Sequence, residues 1–320
     1  MIKNLFIIGN GFDLGHRLPT SYDDFKQWLI EEYPSSQEIE KFIIADPTLM
    51  PDGDSIISDE DLASFLVYCI NEAAGGNWEN FEEELGKIEW ALFFDDIEDV
   101  LDKDGDVNPW RTAYIKEDLT STLYSNSKGF SGMFSQWIET ISYPKDITKN
   151  SFISNYMKGS SVFLTFNYTK TLEDIYEIAS NQICHIHGAQ GGDIIIGHGV
   201  EKVARIPDVD SNGEYLYDSD YPIGMEGLDE IDDLLRKPTQ EIIETTPLFE
   251  DLKTYQIENI FSWGFSFSNV DLVYIKEICK VIDTHNITWH LHDRGNGNVV
   301  RFKNILIQAG FKGTITTFEA

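Results

Sequence analysis

Four stretches of this chain hold residue types that can do chemistry. An apolar run, Leu5 to Ile8, passes directly into Gly9-Asn10-Gly11-Phe12-Asp13. Two glycines one residue apart after a strand mean that the backbone passes close to something. The reason is either approach to a phosphate or ribose, or a tight structural turn. The second stretch, FLTFNYTKTLEDIY (163–176), is an apolar strand ending at Asn167. A carboxamide donates and accepts at once, so Asn167 can orient a ribose hydroxyl or a water. In a turn it can instead cap the following helix. The third, CHIHGAQGGDIIIGHG (184–199), holds His185, His187 and His198. His187 precedes Gly188 at a strand end, and imidazole titrates near neutral pH, as a general base requires. In the fourth, FSWGFSFSNVD (261–271), a strand runs into Gly264 and Ser266, a second small-residue turn suited to a ribose or phosphate. Ser268 and Asp271 follow at the spacing of a helix capping box.

Metal sites compete with these readings. His185, His187 and His198 would make a zinc set, but no nearby cysteine or carboxylate completes it. DKDGDVNPW (102–110) resembles a calcium loop, yet Val107 and Ala113 stand where Gly and Glu are needed. No bound metal is expected. His290 and His292 in WHLHD share one strand face and are read as structural or as the rim of a pocket.

The elements that must position these residues follow from the apolar pattern. SVFLTF, QICHIHG, DIIIGHG, ENIFSWGFS, ITWHLHD and GTITTF are strand candidates, several of them near-continuous apolar runs. Such runs belong to a sheet covered on both faces. TLEDIYEIA, VDLVYIKEICKVI and VVRFKNILIQAG are helix candidates between them, which predicts a mostly parallel α/β sheet. Between the first strand and this block the pattern is helical. DEDLASFLVYCINEAA, WENFEEELGKIEWALFFDDIEDVL and FSGMFSQWIETI each place apolar and aromatic residues on one helical face, as core packing requires. Residues 1–21 and 151–320 are therefore expected to form one Rossmann-like nucleotide-binding domain. Residues 22–150 form a large helical insertion after its first strand. Residues 200–255 read as an irregular region with a helix or two that could cover the site. The lone N-terminal strand needs partners from the second half, because one strand is not stable by itself.

Composition bounds the partners. With 55 acidic and 24 basic residues the net charge is -31, which repels phosphate backbones over any long range. Nucleic-acid binding through a broad basic face is excluded; a small anion held by local amides is not. The chain shows no signal peptide and no run of ~18 apolar residues, so no membrane segment is expected. Three scattered cysteines, Cys69, Cys184 and Cys279, fit a reducing cytoplasm.

NLFIIGNGFDLGHRLPTSYDDF, WENFEEEL, FLTFNYTKTLEDIY, HIHG, IIIGHG and WGFSFSNVDLVYI occur in an order and at spacings that resemble the bacteriophage abortive-infection AbiH proteins. The likeness covers most of the chain. That family in turn resembles the sirtuin fold and sirtuin-like NAD hydrolases of phage defence. The resemblance implies a sirtuin-like Rossmann-type sheet lining an NAD pocket. By motif match the pocket residues are Gly9, Asn10, Gly11, Phe12, Asp13, Asn167, His187 with Gly188, and Gly264 with Ser266. The implied reaction is cleavage of NAD to release nicotinamide. NAD is then substrate, and no further cofactor is required. Asn167, His187 and Asp13 are the catalytic candidates. Asp13 would bond a ribose hydroxyl or stabilise the sugar cation. Two departures stand out: Thr169 replaces the Asp that many relatives carry after the Asn, and the four-cysteine zinc module of sirtuin deacylases is missing. A nucleotide-binding sensor or assembly module without turnover, or a hydrolase of another nucleotide, is the alternative. A phage-derived trigger, a partner defence protein and self-association into a homo-oligomer are the partners this implies.

Overall fold

The computed structural model of the chain describes residues 2–37, 48–49, 55–74, 81–94, 97, 100–152, 160–200, 225–293, 295 and 297–319. Two compact units are present. One comprises Met1–Phe25, Phe134–Gly199 and Lys237–Ala320; the other comprises Lys26–Met133 and Val200–Arg236.

In chain order the strands are β1 (Asn4–Ile8), β2 (Thr48–Leu49), β3 (Ser55–Ile56), β4 (Ser161–Thr165), β5 (Ile183–His185), β6 (Asn259–Trp263), β7 (Thr288–His292) and β8 (Thr314–Phe318). The first unit is built on a six-stranded sheet of order β5-β4-β1-β6-β7-β8, and every neighbouring pair is parallel. β1 lies in the middle, hydrogen-bonded to β4 on one side and β6 on the other. Counted within the sheet, the strand order is 3-2-1-4-5-6, that of the doubly wound Rossmann fold. The order reverses between β1 and β6, and such reversals open a crevice at the carboxyl ends of the strands.

All five residues of β1 are buried, as its unbroken apolar sequence demands. Successive side chains go to opposite faces. Leu5 and Ile7 join one core with Leu164, Ile260, Tyr274 and Trp289. Phe6 and Ile8 join the other with Phe12, Phe163, Phe261 and Trp263. Phe6 stacks between Phe163 and Phe261 at centroid distances of 5.0 and 4.7 Å. At the start of the strands a polar chain crosses the sheet. Asn4 Nδ2 donates to Ser161 Oγ, Asn259 Nδ2 to Asn4 Oδ1, and the His290 ring links Asn259 Oδ1 to Thr316 Oγ1. His290 is thus a structural residue, and burial lowers its pKa.

The first unit departs from the sequence expectations at two places. Asp193–Gly199 does not form a strand, and its chain is tied back by the Ile195 amide to His187 O at 2.9 Å. TLEDIYEIA is helical only over Thr171–Asp174, because Glu177 takes a positive φ of 57° that an α-helix cannot accommodate. Helices Leu272–Val281 and Val299–Gln308 form as expected.

In the second unit, helix Asp59–Ala74 buries Leu62, Phe65, Leu66, Cys69 and Ile70. Each large apolar side chain so buried contributes ~1.5–3 kcal/mol. Its start is capped by Ser58, whose Oγ accepts the Asp61 amide at 3.1 Å and donates to the Asp61 carboxylate at 2.7 Å. Gly129 of helix Pro109–Thr140 lets Leu62 approach; a Cβ there would lie 2.3 Å from Leu62 Cδ2. WENFEEELGKIEWALFFDDIEDVL is not one helix. Its described part holds a short helix, Phe81–Leu85, and a 3-10 turn, Trp90–Phe94. The acidic loop at 102–106 is closed by Asp102, whose carboxylate accepts the Asp104 and Asp106 amides. Of the region expected over 200–255, residues 201–224 lie outside the described residues, and the described part holds the helices Met225–Leu234, Thr239–Thr245 and Pro247–Leu252. Among the described residues no helix is long and apolar enough to cross a membrane.

Candidate functional site

The glycine-rich turn after β1 is packed against the turn after β6. The Gly9 amide donates to Trp263 O at 3.0 Å, the Gly11 amide to Gly264 O at 3.0 Å, and the Phe12 amide to Gly9 O at 2.8 Å. The glycines are required because two backbones meet. A Cβ on Gly9 would lie 2.6 Å from Phe265 Cα. One on Gly264, whose φ is +65°, would lie 2.1 Å from the Phe12 nitrogen. The close neighbour signalled by the glycines is therefore the β6 turn, and three of the loop amides already have protein acceptors. Asn10 is exposed and donates from Nδ2 to Thr20 O at 2.7 Å. Ser266 is exposed on the β6 turn. Gly188 has φ +83°, and a Cβ there would meet Asp193 O at 1.9 Å, so it permits the return of the chain after His187.

Asp13 lies in the short helix Gly11–Gly15 and is 1% exposed. Its carboxylate accepts from Thr169 Oγ1 at 2.5 Å and from Thr171 Oγ1 at 2.8 Å. Burial raises the Asp13 pKa; Thr169, Thr171, the Asn167 carboxamide and His16 oppose that rise. The Tyr143 hydroxyl belongs to the same neighbourhood. Burial and the Asp174 and Asp13 carboxylates raise its pKa, against Thr171 and the Lys170 backbone.

Asn167 follows β4 by two residues and is 6% exposed. Its backbone is pinned on both sides: the amide donates to Thr165 Oγ1 at 3.1 Å, and the carbonyl meets His185 Nδ1 at 3.1 Å. His185 in turn bonds Glu173 Oε1 through Nε2 at 2.9 Å. Burial pushes Glu173 up, but its hydrogen bond and charge interaction with His185, with its own backbone and Lys170, together hold its carboxyl below the usual range. The Asn167 side chain contrasts with this anchored backbone. The carboxamide is turned toward Asp13 and favours the carboxylate as a hydrogen-bond donor would, but the contact is loose, and no hydrogen bond of ordinary geometry reaches Nδ2 or Oδ1. A buried carboxamide without such bonds costs stability, and such groups call for a reason.

His187 is 2% exposed and has its own set of partners. Its Nε2 meets Tyr274 Oη at 3.2 Å, and its Nδ1 meets Lys237 Nζ at 3.3 Å. Phe166 packs edge-on against the ring, centroid to centroid at 5.6 Å. Burial, then the Lys237 charge, lowers the His187 pKa well below the ordinary histidine value, so the ring is neutral. Lysine can only donate, which leaves Nδ1 as acceptor and places the ring proton on Nε2.

The structure thus brings Asp13 and Asn167 together beside Thr169 and Thr171. His187 is not hydrogen-bonded to either. The sequence reading missed Lys237 and Tyr274 as its partners, and neither carries a local signal. The Thr169 and Thr171 pair was visible as T-K-T after Asn167, but its acceptor lies in the first helix. Among the described residues no group of three or more His, Cys, Asp or Glu side chains is placed to hold a metal ion.

The family described as "Bacteriophage abortive infection AbiH" matches residues 5–293 of the chain. No curated protein matches it, and no solved structure does.

Proposed function

The chain belongs to the bacteriophage abortive infection AbiH family, and within that function we propose that it cleaves NAD at the N-glycosidic bond, releasing nicotinamide. The single observation that carries this reading is the Asn167 carboxamide, buried against the Asp13 carboxylate at the end of a parallel strand, with no hydrogen bond of ordinary geometry to hold it. A ligand with both donors and acceptors, such as a ribose and an attacking water, would complete it.

In the proposed reaction the C1′–N bond breaks and its electron pair goes to the nicotinamide nitrogen, which loses its positive charge. The sugar is left as an oxocarbenium-like cation. Water oxygen bonds to C1′ and releases one proton, giving ADP-ribose. Asn167 orients the ribose and the water, and Asp13 supplies negative charge to the cation. His187 is the proton acceptor. Its neutral ring can accept a proton, but burial and Lys237 hold its basicity low, so the role requires ligand binding to raise it; general-base action contributes ~10²–10⁴-fold. Gly9, Asn10, Gly11, Phe12, Gly188, Gly264 and Ser266 frame the crevice. A phage-derived trigger or partner defence protein would switch the activity on.

One observation favours a second reading, a nucleotide-binding sensor without turnover. Both His187 ring nitrogens are already engaged, so proton transfer needs the ring to leave Tyr274 or Lys237 or to act through them. Purified protein incubated with NAD, with and without phage lysate, separates the two by free nicotinamide. Release that is lost in Asn167→Ala and His187→Ala, at unchanged melting temperature, supports cleavage. Tight NAD binding with no nicotinamide supports the sensor. A well-folded Asn167→Ala protein that cleaves NAD at the parent rate overturns the assignment of this site.

A further inference from the structure

A cleft of about 520 Å³ opens beside helix Gly11–Gly15, lined by Gly15, His16, Lys149, Asn150, Trp263 and His292 among others. Leu14, Gly15 and His16 of that region line it, whereas Asp13 is absent from its lining and bonds Thr169 and Thr171. Trp263 and His292 end the neighbouring parallel strands β6 and β7 and stack on each other at 4.7 Å and 29°. One wall of the cleft is therefore aromatic, at the carboxyl edge of the sheet where ligands of such folds sit. The opposite wall is tied in place. The Asn150 amide donates to the Tyr176 hydroxyl at 2.8 Å, and that hydroxyl bonds His16 Nε2 at 2.7 Å. Tyr176 thus clamps the 148–151 segment to the first helix, so the cleft is preformed.

The charge of the lining runs against that of the chain. In a protein of net charge -31, none of the described lining residues is Asp or Glu, and Lys149 supplies a fixed positive charge. Lys149 pairs with Glu177 at 3.1 Å, but both side chains are exposed, and such a pair is readily exchanged for a stronger anion. Ser151, Thr148 and Asn150 add polar groups next to it. An aromatic wall of two rings stacked on each other, one cation, neighbouring hydroxyl and amide groups and a volume in the small-ligand range describe a receptor for an anionic ring compound. We propose that this cleft binds a nucleoside monophosphate, its phosphate at Lys149 and its base along Trp263 and His292. The inference does not rest on cleavage at Asn167. The ligand is either a free mononucleotide or the AMP half of a dinucleotide.

Calorimetric titration with AMP tests it. Gly15→Trp fills the cleft: a Cβ on Gly15 meets nothing within 4 Å, so the indole enters open space. Lys149→Glu reverses the charge on an exposed side chain. Wild type is expected to bind AMP, Lys149→Glu to bind at least about tenfold more weakly, and Gly15→Trp not to bind, with melting temperatures unchanged for Lys149→Glu. No AMP binding by wild type at millimolar ligand overturns the proposal. So does parent-like AMP binding by both cleft variants. Inorganic phosphate binding as tightly as AMP overturns the part assigned to the aromatic wall. NAD that competes with AMP and is lost with it in Gly15→Trp identifies the dinucleotide source; NAD unaffected by that substitution identifies a free mononucleotide. AMP binding without any NAD cleavage sinks only the catalytic reading, and NAD cleavage without AMP binding sinks only this one.

Discussion

Replacing Asn167 by Leu should make the protein more stable while abolishing its activity. The carboxamide is nearly the size of an isobutyl group, so the substitution largely keeps the packing. What it removes is a buried donor and a buried acceptor that make no hydrogen bond of ordinary geometry, the donor having only the loose contact with Asp13. An unsatisfied buried polar group costs about 1–3 kcal/mol. Against this gain stands the loss of the carboxamide that favours the Asp13 carboxylate, since burial already raises that group. A net stabilisation of ~1–2 kcal/mol follows from those two opposing effects. For a unit of 150–250 residues each kcal/mol moves the melting temperature by ~2–4 °C. Urea unfolding followed by tryptophan fluorescence measures it, read as a higher midpoint at unchanged slope. Asn167→Asp is the companion variant. It puts a second carboxylate beside Asp13, and like charges in one buried place should destabilise it by ~1–3 kcal/mol, less so in acid where one carboxyl is protonated. If Asn167→Leu lost more than ~1 kcal/mol, the carboxamide would have a structural partner and the argument for a ligand there would fail.

Two further outcomes follow from the geometry. Gly264→Ala should destabilise by roughly 3 kcal/mol or more, from a positive φ and a Cβ 2.1 Å from the Phe12 nitrogen; a normal melting curve would show that the β1 and β6 turns are not locked together. Burial and Lys237 depress the His187 pKa, so its contribution to stability is complete above the unfolded value of ~6.5 and is lost as pH falls toward the folded value. Wild type should therefore lose ~1.4 kcal/mol per pH unit below 6.5 relative to His187→Phe, and parallel pH profiles of the two proteins in calorimetry would contradict the buried, neutral assignment.

Much of the fold was legible because it depends on local pattern. An unbroken apolar run such as Leu5–Ile8 has few places to go other than a doubly covered strand, and alternating strand and helix signals require a parallel sheet. The composition also showed where the ends of strands lie, since Asn167, His187 and Gly264 each follow an apolar segment. Short elements were less legible. Asp193–Gly199 has the composition of a strand, but it is tied back to His187 and makes only an isolated bridge at His198. A strand is defined by its partners, and partners are not encoded locally.

The site was legible only as a set of candidates. That the glycines need a close neighbour could be read from G-N-G; that the neighbour is the backbone around Gly264 could not, because the two turns are some 250 residues apart and meet only through β1 and β6 pairing. Asp13 finds Thr169 and Thr171 across separations of 156 and 158 residues. His187 finds Lys237 and Tyr274 across 50 and 87, which is what buries it and keeps it neutral. Residue types and spacing state what each side chain can donate, accept or titrate. Desolvation and partner atoms, which decide whether Asn167 is left loosely held or His187 is enclosed, exist only once the parallel sheet has collected the distant strand ends on one edge.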